Sequence, residues 1–158
     1  MLEATGGFAS TFYGGEDTKV CLAIVGMGRR IVYDPEVVVY HHRRALFTGH
    51  IRQVYNVGVH RGFFVKRFPE TSRRALYFLP SAGLVAGLIS ITAAAAWPPL
   101  RPFVAVVAVT WMVLAFGSAW LASRDVVVAA VASLGITATR LAYGLAFFRG
   151  LALRDLER

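Results

Sequence analysis

The apolar positions of this chain fall into two regions that meet near residue 74. Up to that point charged and apolar residues are interleaved, whereas residues 75–148 are nearly free of charge. Residues 75–97 are 23 consecutive uncharged residues and residues 103–123 are 21. About 20 apolar residues are enough for a helix to cross a bilayer. Three prolines between the two segments end helices, so we predict a membrane-spanning helical hairpin.

A third apolar segment, residues 126–148, is interrupted by Arg140 near its centre. Its length favours a third crossing, although an arginine in the middle of a span costs at least about 2.5–3.5 kcal/mol. The alternative is a helix that stops near the interface and continues there as an amphipathic helix. The basic tail favours a C-terminus on the cytoplasmic side. Three crossings would instead place the C-terminus on the membrane face opposite the basic N-terminal region. We therefore predict two or three spans, and length favours three.

Shorter elements are predicted before the apolar segments. A helix over residues 17–25 places Cys21 and Ile24 on one apolar face, so we expect Cys21 to be a small core residue. Gly26 or Gly28 ends this helix, because glycine tolerates the left-handed conformation of a helix C-cap. Since Cys21 is the single cysteine, an intramolecular disulfide is excluded.

Two short strands and a further helix follow in the predicted order. Residues 31–33 and 37–40 are β-branched and aromatic runs separated by a turn at Asp34-Pro35. Residues 46–64 mix apolar and basic positions at helical spacing, which predicts a basic amphipathic helix before the first span. Such a helix suits a membrane surface, and packing on its own domain is an equally good interpretation.

Short motifs occur in a fixed order through the first half of the chain. They are Gly6-Gly7-Phe8, Gly15-Glu16-Asp17, the run at 30–35, the Tyr-His-His-Arg-Arg run at 40–44 and the basic segment at 50–62. Alone, an acidic pair after two glycines is more typical of a helix cap. In this order the motifs resemble the C-terminal half of the catalytic domain of inverting family 2 glycosyltransferases, which have the GT-A fold.

This resemblance implies an α/β fragment over residues 1–74, the C-terminal portion of a GT-A-like catalytic domain with its basic juxtamembrane helix. An α-helical transmembrane region of two or three helices with a basic tail occupies residues 75–158. The implied reaction transfers a sugar from a nucleotide diphosphate sugar to a lipid-linked or glycan acceptor with inversion. We expect a multi-pass protein of the plasma membrane with its catalytic part in the cytoplasm, where nucleotide sugars are made.

The resemblance also implies roles for individual residues. An attacking hydroxyl needs a carboxylate base, and the departing diphosphate needs positive charge. Asp17 is the expected base and Glu16 its support, while Gly6, Gly7 and Phe8 line the acceptor side. Arg52, Gln53 and Arg61 are expected at the substrate diphosphate. His41 and His42 are candidates for metal or phosphate contacts, at even odds with structural hydrogen bonds.

Some parts of a complete transferase have no counterpart in these residues. No D-x-D motif for a divalent metal occurs, and no nucleotide-binding half precedes Gly6. We therefore expect a fragment that is inactive alone, while the complete enzyme would use Mg²⁺ or Mn²⁺. The alternatives are a non-catalytic membrane protein with a basic lipid- or partner-binding cap and an inactive transferase remnant. The net charge of the chain is +8, and its basic residues flank the apolar segments. This arrangement favours anionic membrane lipids over nucleic acid as the partner of the basic residues.

Overall fold

The structure, a computed structural model, describes residues 3–8, 16–42 and 44–156, with the side chain of Glu16 left out. Helices are the regular elements of this part of the chain. They are α1 (Glu16–Gly26), α2 (Ile51–Arg67), α3 (Pro69–Ser72), α4 (Ala75–Ala96), α5 (Arg101–Ser123) and α6 (Val126–Ala152). Short 3₁₀ turns cover Glu3–Thr5 and Pro98–Leu100, and a π-helical turn over Leu46–His50 leads into α2.

The predicted helix after the glycine pair is confirmed as α1. Its end is a Schellman motif, in which the Arg29 amide donates to the Ile24 carbonyl at 3.2 Å and the Gly28 amide to the Val25 carbonyl at 2.9 Å. Gly28 has φ +73°, the left-handed conformation expected of a glycine C-cap. The placement of Cys21 in a core is wrong, because its side chain is exposed.

The predicted α/β fold is wrong for the described residues, which contain no strand. The turn between the two predicted strands does form, since the Asp34 carboxylate accepts the Glu36 amide at 3.0 Å. The flanking apolar residues are open to solvent, Val32 at 81% and Tyr40 at 96%. A strand needs a neighbour that pairs with its amides and carbonyls, and none of the described segments supplies one. High β-propensity alone therefore leaves this segment extended and unpaired.

The predicted basic helix is confirmed as α2 and runs three residues beyond its predicted end, to Arg67. It packs along the C-terminal half of α6, and the two helices run in the same direction. The Leu46 side chain lies against Gly135, and Gly58 lies against Ala146 further along both helices. The structure therefore packs this helix chiefly against α6 in the predicted transmembrane region, rather than against its own predicted domain, residues 1–74.

Three helices of the structure, α4, α5 and α6, are long and apolar enough to cross a membrane. The predicted boundary after residue 74 and the proline turn of the hairpin both lie where expected. The helix α6 continues without interruption through Arg140. Asp125 caps its start by accepting the Val128 amide at 2.9 Å. Length and composition make α6 a candidate span, and its crossing stays a prediction.

Contacts of α6 hold the remaining helices together. Near the middle of α5, the Trp111 indole donates to the Thr137 hydroxyl at 3.0 Å. Near the start of α4, the Ser81 hydroxyl donates to the Gly144 carbonyl at 3.4 Å. The Phe78 ring meets the Phe147 ring edge-on at a centroid distance of 5.0 Å. Helix α6 is therefore the element against which α2, α4 and α5 all pack.

Candidate functional site

Glycines bring α2 and α6 into backbone contact. Gly58 and Gly62 lie four residues apart on α2, and Gly150 lies opposite them on α6. A Cβ atom on Gly62 would overlap the Phe147 carbonyl oxygen, and one on Gly150 would overlap the Val59 carbonyl oxygen. Such small-residue spacing permits close helix approach, most familiarly inside membranes. We missed this interface at the sequence level, although the four-residue spacing of Gly58 and Gly62 was a readable signal.

Arg61, which was predicted to bind the diphosphate, is half-buried and already contacts other residues of the chain. Its Nη1 atom donates to the Thr71 carbonyl and to the Ser72 hydroxyl, both at 3.3 Å. Its guanidinium also lies over the Tyr77 ring, 4.7 Å from the centroid, in a cation–π contact. Arg61 thus connects α2 to α3 and to the first turn of α4. Its first role in this structure is to position the basic helix at the start of the apolar region.

Arg52 and Gln53, in the first turn of α2, are exposed to solvent. In the part of the chain that the structure describes, neither side chain has a hydrogen-bond partner. A guanidinium with five free donors suits a phosphate or carboxylate ligand. Of the two predicted diphosphate-binding arginines, Arg52 is therefore the one that is free to bind a ligand.

The predicted base, Asp17, lies exposed in the first turn of α1. Its Oδ1 atom accepts a hydrogen bond from the Thr18 amide at 2.7 Å, which keeps the carboxylate at the N-terminal end of α1. Gly15 and the Glu16 side chain lie outside the described residues, so the acidic motif is represented by Asp17. Beyond isolated contacts, α1 packs against none of the helices from α2 to α6. The described residues therefore do not bring Asp17 together with Arg52 or Arg61.

The predicted acceptor segment lies close to α1. Gly6 and Gly7 both have left-handed backbones, with φ +74° and +65°, and Phe8 after them is 58% exposed. The 3₁₀ turn that leads into this segment contacts α1. Among the predicted site segments, the structure brings together the segment of residues 6–8 and the helix α1, which carries Asp17. The Phe8 side chain and the Asp17 carboxylate are both open to solvent there.

The predicted metal contacts, His41 and His42, are exposed and lie in irregular chain. A metal site needs several ligands that converge, and the described residues contain no group of three His, Cys, Asp or Glu side chains able to hold an ion. The residues present therefore do not fit a metal centre of their own. Mg²⁺ or Mn²⁺ stays an expectation for the complete enzyme.

No protein-family model, curated protein or solved structure matches this chain. The resemblance to family 2 glycosyltransferases is thus carried by the motifs themselves, in their order along the first half of the sequence.

A lysine of the basic helix caps the end of α6. The Lys66 ammonium donates to the Leu151 carbonyl at 2.5 Å and to the Leu153 carbonyl at 2.6 Å. Carbonyls in the last turn of a helix lack intrahelical partners and carry the negative end of its dipole, so a cation there is favourable. The sequence did not indicate this contact, because the partners are more than eighty residues apart.

Replacing Lys66 by Met should loosen the last turn of α6 without changing the rest of the structure. The methionine keeps the aliphatic stem and loses the charge, which costs about 0.3–1 kcal/mol at an exposed helix end. Hydrogen exchange at residues 151–153 should then be roughly two- to five-fold faster. Arg67→Met is the matched control, since Arg67 is the exposed neighbour at the end of the same helix. Equal exchange in the two variants would contradict the cap.

Proposed function

We propose that this chain is the acceptor-side and membrane-anchoring part of a membrane-bound family 2 glycosyltransferase. The complete enzyme would transfer a sugar from a nucleotide diphosphate sugar to a lipid-linked or glycan acceptor, with inversion at the anomeric carbon. It would act at the cytoplasmic face of the plasma membrane. The observation that carries this proposal is the exposed Asp17 carboxylate at the start of α1, within an ordered series of family motifs.

The chemistry assigns a different task to each exposed group. Asp17 accepts the proton of the attacking acceptor hydroxyl as the new glycosidic bond forms. The acceptor approaches along the exposed Gly6-Gly7-Phe8 segment, whose preceding turn contacts α1. Arg52, with Gln53 beside it, stabilises the negative charge that develops on the departing nucleotide diphosphate. Donor binding itself belongs to the nucleotide-binding half that the resemblance implies.

The packing of α2 supports a role at the membrane. This helix carries Arg52, the residue proposed to bind the diphosphate. Its glycines pack against α6, and Arg61 contacts the first turn of α4. A site on this helix would be kept next to the apolar helices, where a lipid-linked acceptor is available. A short distance between anchor and site lowers the entropic cost of bringing the two substrates together.

A second candidate function is a non-catalytic one, in which the basic cap recruits lipid. The observation that favours it is that Arg61 is occupied by contacts within the chain, while Arg73 and Arg74 are exposed. This candidate makes Asp17 dispensable and the exposed arginines essential. The two candidates therefore differ in the variants that abolish function.

Nucleotide binding by an Arg52→Ala variant tests the proposed function. In the complete enzyme, this change should weaken binding of the nucleotide diphosphate product by about 1.5–3 kcal/mol, the usual contribution of a charge-assisted hydrogen bond. Isothermal titration calorimetry on the detergent-solubilised protein should therefore show a roughly 10- to 150-fold higher Kd.

The control for this measurement is Arg67→Ala, which removes an exposed arginine from the other end of the same helix. Its Kd for the nucleotide diphosphate should equal that of the unaltered protein. If Arg52→Ala leaves the Kd unchanged, the diphosphate role of Arg52 is wrong.

A further inference from the structure

A charged side chain lies near the middle of α6, one of the helices that are long and apolar enough to cross a membrane. At 1.5 Å per residue, Arg140 is about 21 Å along the helix from Val126 and about 18 Å from Ala152. The hydrocarbon core of a bilayer is about 30 Å thick, so Arg140 lies near its centre when α6 crosses. The lipid phosphates at either surface are then farther away than an arginine side chain extends from its helix.

Arg140 lies on the face of α6 that meets the other two apolar helices. Thr137, three residues earlier, accepts a hydrogen bond from the Trp111 indole of α5 at 3.0 Å. Gly144, four residues later, accepts one from the Ser81 hydroxyl of α4 at 3.4 Å. Residues three and four apart are neighbours on one face of a helix. Arg140 is therefore placed between the contacts of α6 with α5 and with α4, and its side chain is exposed.

The hydroxyl groups on this face of α6 have partners within the chain, whereas the guanidinium has none there. Ser133 donates to the Ala130 carbonyl at 2.8 Å, and Thr137 donates to the Ser133 carbonyl at 3.0 Å. In the part of the chain that the structure describes, no hydrogen bond, ion pair or ring contact involves the Arg140 side chain. Arginines within a membrane span are costly, and they almost always pair with another group or face a water-filled cavity.

A negative charge for Arg140 is missing from the apolar region itself. Residues 75–124 and 126–152 contain no Asp or Glu. Asp125, between these two segments, caps the start of α6 and is about 22 Å along the helix from Arg140. A second copy of the chain has the same sequence, so a dimer through these helices supplies no carboxylate at this depth either. The partner of Arg140 therefore comes from a different molecule.

We propose that Arg140 is the docking point for a membrane-spanning helix of another protein that carries a carboxylate near its centre. In the bilayer core, a helix satisfies all of its own backbone groups, so it is the simplest structure that brings a side chain to this depth. A carboxylate matches the planar donors of a guanidinium and binds them in pairs. This inference rests on the crossing of α6 and is independent of the proposed sugar transfer, since it needs neither Asp17 nor Arg52.

Side-specific labelling tests the crossing of α6. We would replace Cys21 by Ser and introduce one cysteine at a time, as Arg124→Cys or Asp155→Cys, at exposed positions before and after α6. A membrane-impermeant maleimide is applied to sealed right-side-out and inside-out vesicles that contain the full chain. The two cysteines should be labelled in opposite preparations. Labelling of both in the same preparation would place Arg140 away from the bilayer centre and overturn the inference.

Binding of a synthetic membrane helix tests the partner. The probe is a membrane-spanning Leu/Ala peptide with one Glu at its centre, and the comparison is the same peptide with Gln there. Energy transfer from a dye at Asp155→Cys of the full chain to an acceptor on the peptide is measured in phosphatidylcholine vesicles. The Glu peptide should bind roughly 5- to 30-fold more tightly than the Gln peptide, as expected for a polar contact between helices in a membrane.

Three variants make the binding result specific. Arg140→Leu should abolish the preference for the Glu peptide, whereas Arg154→Leu, at the exposed arginine after α6, should preserve it. Arg140→Glu should transfer the preference to a peptide with a central Arg, which excludes misfolding as the cause of the loss. Equal binding of the Glu and Gln peptides, or a preference that survives Arg140→Leu, would refute the docking point. Loss of the preference on adding phosphatidylglycerol would show that a lipid phosphate binds Arg140 instead.

Discussion

Replacing Asp17 by Asn in the complete enzyme should lower the rate of sugar transfer by about 10²–10⁴-fold, the usual cost of losing a general base. The amide has nearly the same shape and can still accept the Thr18 amide, so α1 should begin as before. Membrane insertion and donor binding should therefore be nearly unchanged. The measurement is transfer of a radiolabelled sugar from its nucleotide donor by membranes that contain each variant.

Two further variants make this result specific. Glu16→Gln should reduce the rate less, because the resemblance gives Glu16 a supporting role. Glu36→Gln removes an exposed carboxylate from the turn after α1 and should leave the rate unaltered. Transfer at the unaltered rate by the Asp17→Asn protein would refute Asp17 as the base, whatever its effect on stability.

Ala at Gly62 or at Gly150 should separate α2 from α6. Each new methyl group would overlap a backbone carbonyl oxygen of the facing helix, and no side-chain rotation can relieve that overlap. Forcing extra atoms into a close-packed contact typically costs about 1–3 kcal/mol. We expect a lower free energy of unfolding in mixed micelles and faster hydrogen exchange along α2.

The matched control is Gly83→Ala in α4, where an added Cβ meets no atom within 4 Å. Because alanine favours a helix interior by about 1 kcal/mol over glycine, this variant should be as stable as the original or more so. Stabilisation by Ala at all three positions would mean that α2 and α6 are not in backbone contact.

The apolar region illustrates what could be predicted from sequence. The boundaries of α4 and α5 follow from the length of uncharged runs and from prolines, both of which are local properties. The same holds for α1, whose end is set by Gly28 and by the two local hydrogen bonds of its Schellman motif. In these elements the interactions that decide the structure lie within a few residues, so no distant partner has to be known.

The segment after α1 shows where local properties were insufficient. Its β-branched and aromatic residues predicted two strands, yet the described residues form an isolated turn at Asp34 with extended, exposed flanks. Strand formation depends on hydrogen bonds to another segment, and propensity does not say whether that segment is present. The predicted site depends on distant segments in the same way. Asp17 and Arg52 would come close together only if other parts of a domain packed between α1 and α2.

The sequence by itself therefore determined the apolar helices, the basic amphipathic helix, the cap of α1 and the order of the motifs. Tertiary structure alone decided that α2 packs along α6, that Arg61 is occupied while Arg52 is free, and that Lys66 caps a helix end more than eighty residues away. The physical reason is the distance along the sequence between the residues that interact. Helix formation and apolar length are encoded in neighbouring residues, whereas burial, capping and pairing across the fold depend on which distant surfaces come into contact.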